Sequence, residues 1–310
     1  MKYIIYKLKF STGVHFGNGT LDDTEYTFCA DTLFSALCIE AVKSGTDMLN
    51  RLVNWAKSGK LVLSDAMPYM DNTYYIPKPM CDIKYSEEDS GDSTKKKLYK
   101  KMSYIPYDCI DDYLNGELPE DIIHEFDSFG KKNIKVSASI SGNTETVPYR
   151  IGEYYYNDAN GLYVIIGYEN DDILYEIEDL MISLGYSGIG GERSSGLGRF
   201  ELEMSNDADG LLDKLSVQSE LYMTLSVSLP RENELENALD GAGYSVIKRS
   251  GFIASDTCRD RRKKDMYVLA AGACVKNQYQ GDVYNVAEGE SHAVYRYAKP
   301  VFPSRRPRRS

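Results

Sequence analysis

Residues 185–198 contain Gly185, Gly188, Gly190, Gly191, Gly196 and Gly198, more glycine than any packed core calls for. Glycine is costly to order and is placed where the backbone takes positive φ or touches another group closely. Arg193, Ser194, Ser195 and Arg199 stand in the same stretch. Backbone N–H groups beside guanidinium and hydroxyl donors suit a phosphate chain. The competing reading is a merely flexible surface loop.

The known phosphate motifs do not fit. A Walker A loop needs lysine and then Ser/Thr after its second glycine, but Leu197 follows Gly196. Neither Gly188/Gly190 nor Gly196/Gly198 completes a Gly-x-Gly-x-x-Gly fingerprint. Both motifs also open a helix. Here Arg199 to Met204 alternates with period two and predicts a strand, while Asp172 to Leu184 predicts a helix. The unit is helix, glycine loop, strand, the reverse of a nucleotide-binding strand-to-helix turn.

The rest of the composition narrows the setting. A chain of 310 residues predicts two domains. No stretch is apolar enough to span a membrane, and the first residues are too polar for a signal peptide, so a cytoplasmic protein is expected. The six cysteines contain no C-x-x-C pair, and with three scattered histidines they form no metal template. No cofactor is expected. The net charge of −11 argues against loose nucleic-acid binding but not against a local basic groove. Basic clusters occur at Lys95–Lys97, Lys100–Lys101, Lys131–Lys132, Lys135 and Arg259 to Lys264. The 26 tyrosines add β-propensity and rings able to stack on bases.

Along the chain, Lys2 to Phe10 predicts a strand with Ile4, Tyr6, Leu8 and Phe10 on one face. His15 follows in a second glycine-bearing loop; as a general base it would need a partner that the sequence does not reveal. Asp31 to Ala41 predicts a helix capped by Asp31 or Thr32 and stopped at Gly45, and Asp47 to Lys57 another, stopped at Gly59. Leu61 to Asp65 is a short strand. Residues 68–134, with five prolines, an acidic patch at Glu87–Asp92 and the lysine clusters, read as a poorly periodic insertion. Asn133 to Ile140 and Glu145 to Tyr156 read as a projecting hairpin, and Gly161 to Gly167 as a central strand. Without the insertion, the order fits a β-α-β-β-α-β ferredoxin-like domain over residues 1–205. Residues 206–218 read as a linker, and 219–310 as a second, weaker ferredoxin-like domain with a basic tail at Arg305 to Arg309. The expected class is therefore α+β: two ferredoxin-like (RRM-like) domains with long insertions and a hairpin.

Three stretches also carry a resemblance. Ser187 to Phe200 is similar to the glycine-rich loop of CRISPR RAMP proteins. Val14-His15-Phe16-Gly17 followed by Phe28 to Leu37, and Tyr295 to Pro300, resemble the fourth subunit of the type III-A (Csm) effector complex. The matches lie at the start, the two-thirds point and the end of the chain.

The resemblance implies a non-catalytic subunit that caps the 5′ handle of the guide RNA. It joins the backbone RAMP subunits to the large palm-domain subunit and meets target RNA indirectly, through a thumb wedged into the guide–target duplex. The hairpin at about 131–150, with Lys131, Lys132, Lys135, Ser137, Ser139 and Arg150, is the thumb candidate. On this reading Gly190, Gly191, Ser194 and Ser195 present N–H or hydroxyl donors to the RNA, Gly188 and Gly196 belong to the same RNA-binding loop, Arg193 and Arg199 pair phosphates or stack on a base, and His15 lines the groove. Lys248, Arg249 and Ser250 would hold the far side of the handle. Two alternatives stay open. One is a RAMP endoribonuclease using His15, or an aspartate among Asp22, Asp23 and Asp31; the other is a protein-only scaffold.

Overall fold

The computed structural model describes residues 1–83, 93–119, 122, 126–139, 147–205, 209–215, 220–253, 261–287 and 292–302. The acidic patch at Glu87–Asp92, the hairpin tip at 140–146 and the basic tail lie outside them.

A seven-stranded antiparallel sheet forms the centre. Its strands are β1 (Lys2–Phe10), β2 (Leu61–Leu63), β3 (Met67–Met70), β4 (Thr73–Pro77), β5 (Tyr104–Pro106), β8 (Asn160–Tyr168) and β9 (Phe200–Met204), in the order β5-β4-β3-β8-β1-β9. β2 and β3 pair successive stretches of β8, Leu61 opposite Tyr168 and Met70 opposite Asn160. Alternation along β1 sends Tyr6 and Leu8 to one face and Ile5 to the other, and all three are buried. Complete burial of a side chain the size of Leu8 stabilises the fold by about 1.5–3 kcal/mol.

Helices α1 (Ala30–Ser44), α2 (Thr46–Ser58) and α5 (Asp171–Ser187) cover the Tyr6 and Leu8 face. α2 stops at Gly59, which takes the left-handed conformation at φ 77° that glycine adopts freely. α3 (Ser93–Lys101), α4 (Ile110–Leu114) and α6 (Asp209–Leu215) accompany the opposite face, where Tyr99, Tyr113 and Leu211 are buried. The hairpin is β6 (Gly130–Ser139) with β7 (Val147–Tyr156), in register from Gly130 opposite Tyr156 to Ser139 opposite Val147.

Two expectations need correction. The poorly periodic insertion expected over 68–134 contains regular structure, because β3, β4 and β5 widen the central sheet there. Pro68, Pro77 and Pro106 lie inside or at the end of these strands, and proline masks a strand signal. The expected linker contains α6, whose Leu211 is fully buried.

The second half is built of paired strands. Its strands form three two-stranded ladders among the described residues: β10 (Tyr222–Met223) with β13 (Cys274–Val275), β11 (Val246–Arg249) with β12 (Met266–Leu269), and β14 (Asp282–Asn285) with β15 (Tyr295–Ala298). Positive-φ glycines at 241, 251, 272 and 281 interrupt the run between them, and α7 (Leu235–Leu239) adds one short helix. The ladders share a core with the first half, since Val227, Val283 and Tyr297 pack in one cluster with Tyr6 and Phe34. The Tyr297 hydroxyl accepts the Leu63 N–H at 2.9 Å.

Asp65 ties the halves directly. Its Oδ1 accepts the N–H of Ala30, at the start of α1, at 2.8 Å, and that of Val227 at 2.9 Å. The α1 cap is thus supplied from a distance, while Asp31 sits in the first turn with its carboxylate turned to Arg249 and Arg296. Burial pushes the Asp65 pKa up to about 7 against the two N–H bonds. A carboxyl whose folded pKa is raised stabilises the fold fully below its unfolded pKa, near 4, and loses that contribution as pH rises through about 7. Asp65→Asn keeps an acceptor for both N–H groups. Urea midpoints at pH 5 and pH 8 should therefore differ less for Asp65→Asn than for the parent; an unchanged difference would rule Asp65 out as the source.

Candidate nucleic-acid interface

The glycine loop leaves α5 at Gly188, whose N–H closes the helix on Leu184 O at 2.7 Å. It returns on itself through Ile189 N–H to Gly198 O at 2.9 Å, and a 3-10 turn, Arg193–Ser195, forms its tip. Backbone bonds fasten the loop to the segment after β1. Gly198 N–H donates to Gly13 O at 2.9 Å, and Gly191 N–H to His15 O at 2.8 Å. At Gly190, φ is +98°, and a Cβ would stand 2.6 Å from His15 O. The loop is therefore a built structure, and glycine is required at its contacts rather than throughout.

His15 links the loop to the hairpin. It is buried, and its Nδ1 donates to Gly152 O at 2.7 Å. Among the described residues no carboxylate, hydroxyl or thiol meets its other ring nitrogen. Val14 and Tyr154 exchange both backbone bonds, at 2.8 and 2.9 Å, and Gly152 N–H reaches Leu21 O at 2.8 Å. The root of the hairpin, the His15 segment and the glycine loop thus meet at one place. Lys132 secures the meeting from outside by pairing Asp23 at 2.7 Å, which with an Asn18 amide holds that exposed carboxyl down at about 2.

The donors divide into committed and open groups. The N–H groups of Gly188, Gly191, Ser195, Gly196 and Gly198 are all taken by backbone carbonyls, and the Ser195 hydroxyl donates to Glu192 at 3.2 Å. Among the described residues the N–H groups of Gly190, Arg193 and Ser194 find no acceptor. The Arg193 and Arg199 guanidinium groups have no acidic partner among them either. The same holds for the exposed Lys131, Lys135 and Arg150 of the hairpin. Arg150 stands opposite Val136, and Ser137 opposite Tyr149. Ile134 and Val136 also face solvent, at 55 % and 68 % exposure.

The predicted far-side group is not brought to this place as free donors. Arg249 grips Asp31 through two nitrogens at 3.0 and 2.7 Å, and Lys248 pairs Asp265 at 2.7 Å. The carbonyl of Ser250 accepts from Arg296 at 3.2 Å. Burial alone would push the Asp31 carboxyl up, but the Arg249 guanidinium, with Arg296 and Lys263 behind it, holds it below the usual range.

One group escaped the sequence reading. A polar cavity of about 490 Å³ beside the hairpin root is lined in part by Lys7, Lys9, Asn72, Tyr156 and Asn160. Lys7 is nine-tenths buried, with its ammonium over the Tyr69 ring at 4.6 Å and no carboxylate partner among the described residues. The sequence carries it only as the Lys-x-Lys alternation on the face of β1 opposite Tyr6 and Leu8.

Comparison with known proteins agrees along the whole chain. Residues 217–304 match the family described as CRISPR Csm4 C-terminal domain. The chain is 36% identical over 316 residues to the "CRISPR system Cms protein Csm4" of Streptococcus thermophilus, covering 97% of this chain and 98% of that one. It is 36% identical over 295 residues to the protein of the same name from Mycobacterium tuberculosis (strain ATCC 25618 / H37Rv), covering 93% of each. Among solved structures, it is similar in fold to a chain in the crystal structure of the Csm3-Csm4 subcomplex in the type III-A CRISPR-Cas interference complex. There the TM-score is 0.65 and the identity 22%, over 99% of this chain and all of that one. A chain in the crystal structure of the Csm1-Csm4 cassette in complex with pppApA gives a TM-score of 0.62 at 23% identity, over 99% of each.

Proposed function

The chain belongs to the Csm4 family of type III-A CRISPR proteins, and from that premise we propose that it is the non-catalytic subunit that caps the 5′ handle of the guide RNA. In this role it joins the backbone RAMP subunit to the large palm-domain subunit. The observation that carries the reading is the meeting of the glycine loop, the His15 segment and the hairpin root, with Arg193, Arg199 and three open N–H groups around it. A single-stranded handle offers phosphates to such donors and unstacked bases to be read at their edges. The Csm3–Csm4 and Csm1–Csm4 assemblies named for the solved relatives support the two protein partners.

The ferredoxin-like reading of the first half draws on β9-β1-β8-β2, the order of a β-α-β-β-α-β unit. The β6–β7 hairpin is the thumb in this account, its exposed Ile134 and Val136 suited to lie against base faces in the guide–target duplex. The non-catalytic reading rests on His15, whose Nδ1 is committed to Gly152 and whose second nitrogen lacks a proton-transfer partner among the described residues.

Purification of the tagged protein from its own cells, followed by sequencing of the accompanying small RNAs, tests the role. RNAs that share one repeat-derived 5′ end and differ behind it are expected. Protein partners without RNA would support a scaffold, and precursor-length RNA with fresh ends a nuclease. At the residue level, a charge-assisted hydrogen bond contributes roughly 1.5–3 kcal/mol. Arg193→Glu should therefore weaken handle binding by about tenfold or more, while Lys96→Glu, on α3, changes it little. Equal losses in a filter-binding assay would remove Arg193 from the interface.

A further inference from the structure

Beyond β4 the chain crosses from the central sheet to the second half. Met80 N–H donates to Gly272 O at 2.8 Å, and Met80 forms a parallel bridge with Ala273. Cys81 and Cys274 are the next residues on each side of that bridge. Neighbouring strands lie about 4.8 Å apart, inside the roughly 4.4–6.8 Å between Cα atoms that a disulfide spans. Cys274 is held in place from its other side, exchanging bonds of 2.9 and 2.8 Å with Gly243. Its thiol is buried and directed at Gly272 O at 3.5 Å, whereas Cys81 is half-exposed.

We propose that Cys81 and Cys274 are a dithiol that closes to a disulfide under oxidation, a modification site that pins the segment after β4 to β13. The two thiols have the roles such a reaction needs. Cys81 is reachable from solvent, and the neighbouring Cys274 thiol holds its pKa below that of an ordinary cysteine, against its partial burial. That favours the thiolate, the attacking species. Cys274, buried at the start of β13 beside the Met80–Ala273 bridge, is placed to resolve.

With a small disulfide as oxidant, the Cys81 thiolate attacks one sulfur and releases the first small thiolate, leaving a mixed disulfide on Cys81. Cys274 then loses its proton and attacks Cys81 Sγ, releasing the second. Two electrons pass from the protein dithiol to the small disulfide, which leaves as two thiols carrying the two protons. The bond closes a long loop, from residue 81 to residue 274, so it restricts the unfolded chain strongly. It also adds a covalent tie between two regions otherwise joined by hydrogen bonds and packing.

The test uses the full chain with its co-purifying subunits, equilibrated in glutathione buffers from reducing to oxidising, blocked with an alkylating agent and mapped by mass spectrometry without reduction. A peptide joining Cys81 to Cys274 should accumulate as the buffer becomes oxidising, with an upward shift of the thermal midpoint that dithiothreitol reverses. Cys81→Ser, at a half-exposed position where folding is preserved, should abolish both the peptide and the shift, and Cys109→Ser should preserve both. Accumulation of Cys81 as an unresolved glutathione adduct would overturn the proposal. So would cross-linking of Cys81 to other cysteines as readily as to Cys274, or a thermal shift that persists in Cys81→Ser.

Discussion

Asp31→Ala should destabilise the protein by roughly 3–5 kcal/mol, the cost of leaving a buried charge without its partner. Asp31 is 6% exposed and faces two guanidinium groups, Arg249 at 2.7 Å and Arg296 at 3.0 Å, the second 3% exposed. Lys263, held by Ser35 at 2.9 Å, adds a third cation to the same surroundings. Removing the carboxylate that, among the described residues, contacts both arginines strands both inside the junction between α1 and the ladders β11–β12 and β14–β15. Asp31→Asn should be milder, since an amide oxygen still accepts from one guanidinium. Urea unfolding of both variants checks the order. A loss below about 1 kcal/mol for the alanine variant would show that water or a neighbour takes over. The sign with pH follows from the depressed pKa: this carboxylate's contribution is complete above the usual carboxylate range and is lost as pH falls through its folded pKa.

Gly198→Ala should be the most damaging single change in the glycine loop, and Gly196→Ala among the mildest. Both positions have positive φ, +78° and +91°, so each substitution carries strain of about 1–2 kcal/mol. They differ in space. A Cβ at Gly198 would overlap the Ile189 backbone, whose N–H bonds Gly198 O, whereas at Gly196 nothing lies within 4 Å. Gly198→Ala must therefore separate the two sides of the loop and release the bond to Gly13. The predicted outcome is a loss of handle binding of tenfold or more for Gly198→Ala, with global unfolding still cooperative. Gly196→Ala should bind within a few-fold of the parent. Equal effects in a titration against handle RNA would mean that loop closure does not matter to the interface.

These two cases also mark what the sequence can and cannot reveal. The glycine loop was legible because its evidence is local: a helix pattern, a burst of glycine and a period-two strand lie within 34 consecutive residues, 171–204. The ends of α1 and α2 were legible for the same reason, through Gly45 and Gly59. Asp31 was misread because the local rule for capping competes with a partner 218 residues away, and spacing carries no trace of Arg249. The same blindness made Lys248 and Arg249 look like free cations. His15 was read as a groove residue, and its bond to Gly152, 137 residues on, turns it into the link between loop and hairpin. Strands β3 to β5 were hidden by their prolines, which lack the N–H of a regular strand but lie where pairing continues around them. Period-two alternation puts Lys7 on the face opposite Tyr6 and Leu8 but carries no trace of Tyr69 and Tyr74, against which it lies.

The place of β1 in the sheet has a consequence for how the chain is made. Lys2–Phe10 is synthesised long before its neighbours in the sheet, Leu162–Tyr168 on one side and Phe200–Met204 on the other. At about 5–20 residues per second, the strand waits roughly 8–30 s for its first partner and longer for its second. During that time an apolar strand with both edges open is a template for pairing with other chains. Lys2, Lys7 and Lys9, placed within and at the start of the strand, are charges of the kind that discourage such pairing. In the finished sheet Lys2 and Lys9 go on to meet Asp171 and Glu203, so charges that guard the nascent strand end as ion pairs of the folded one.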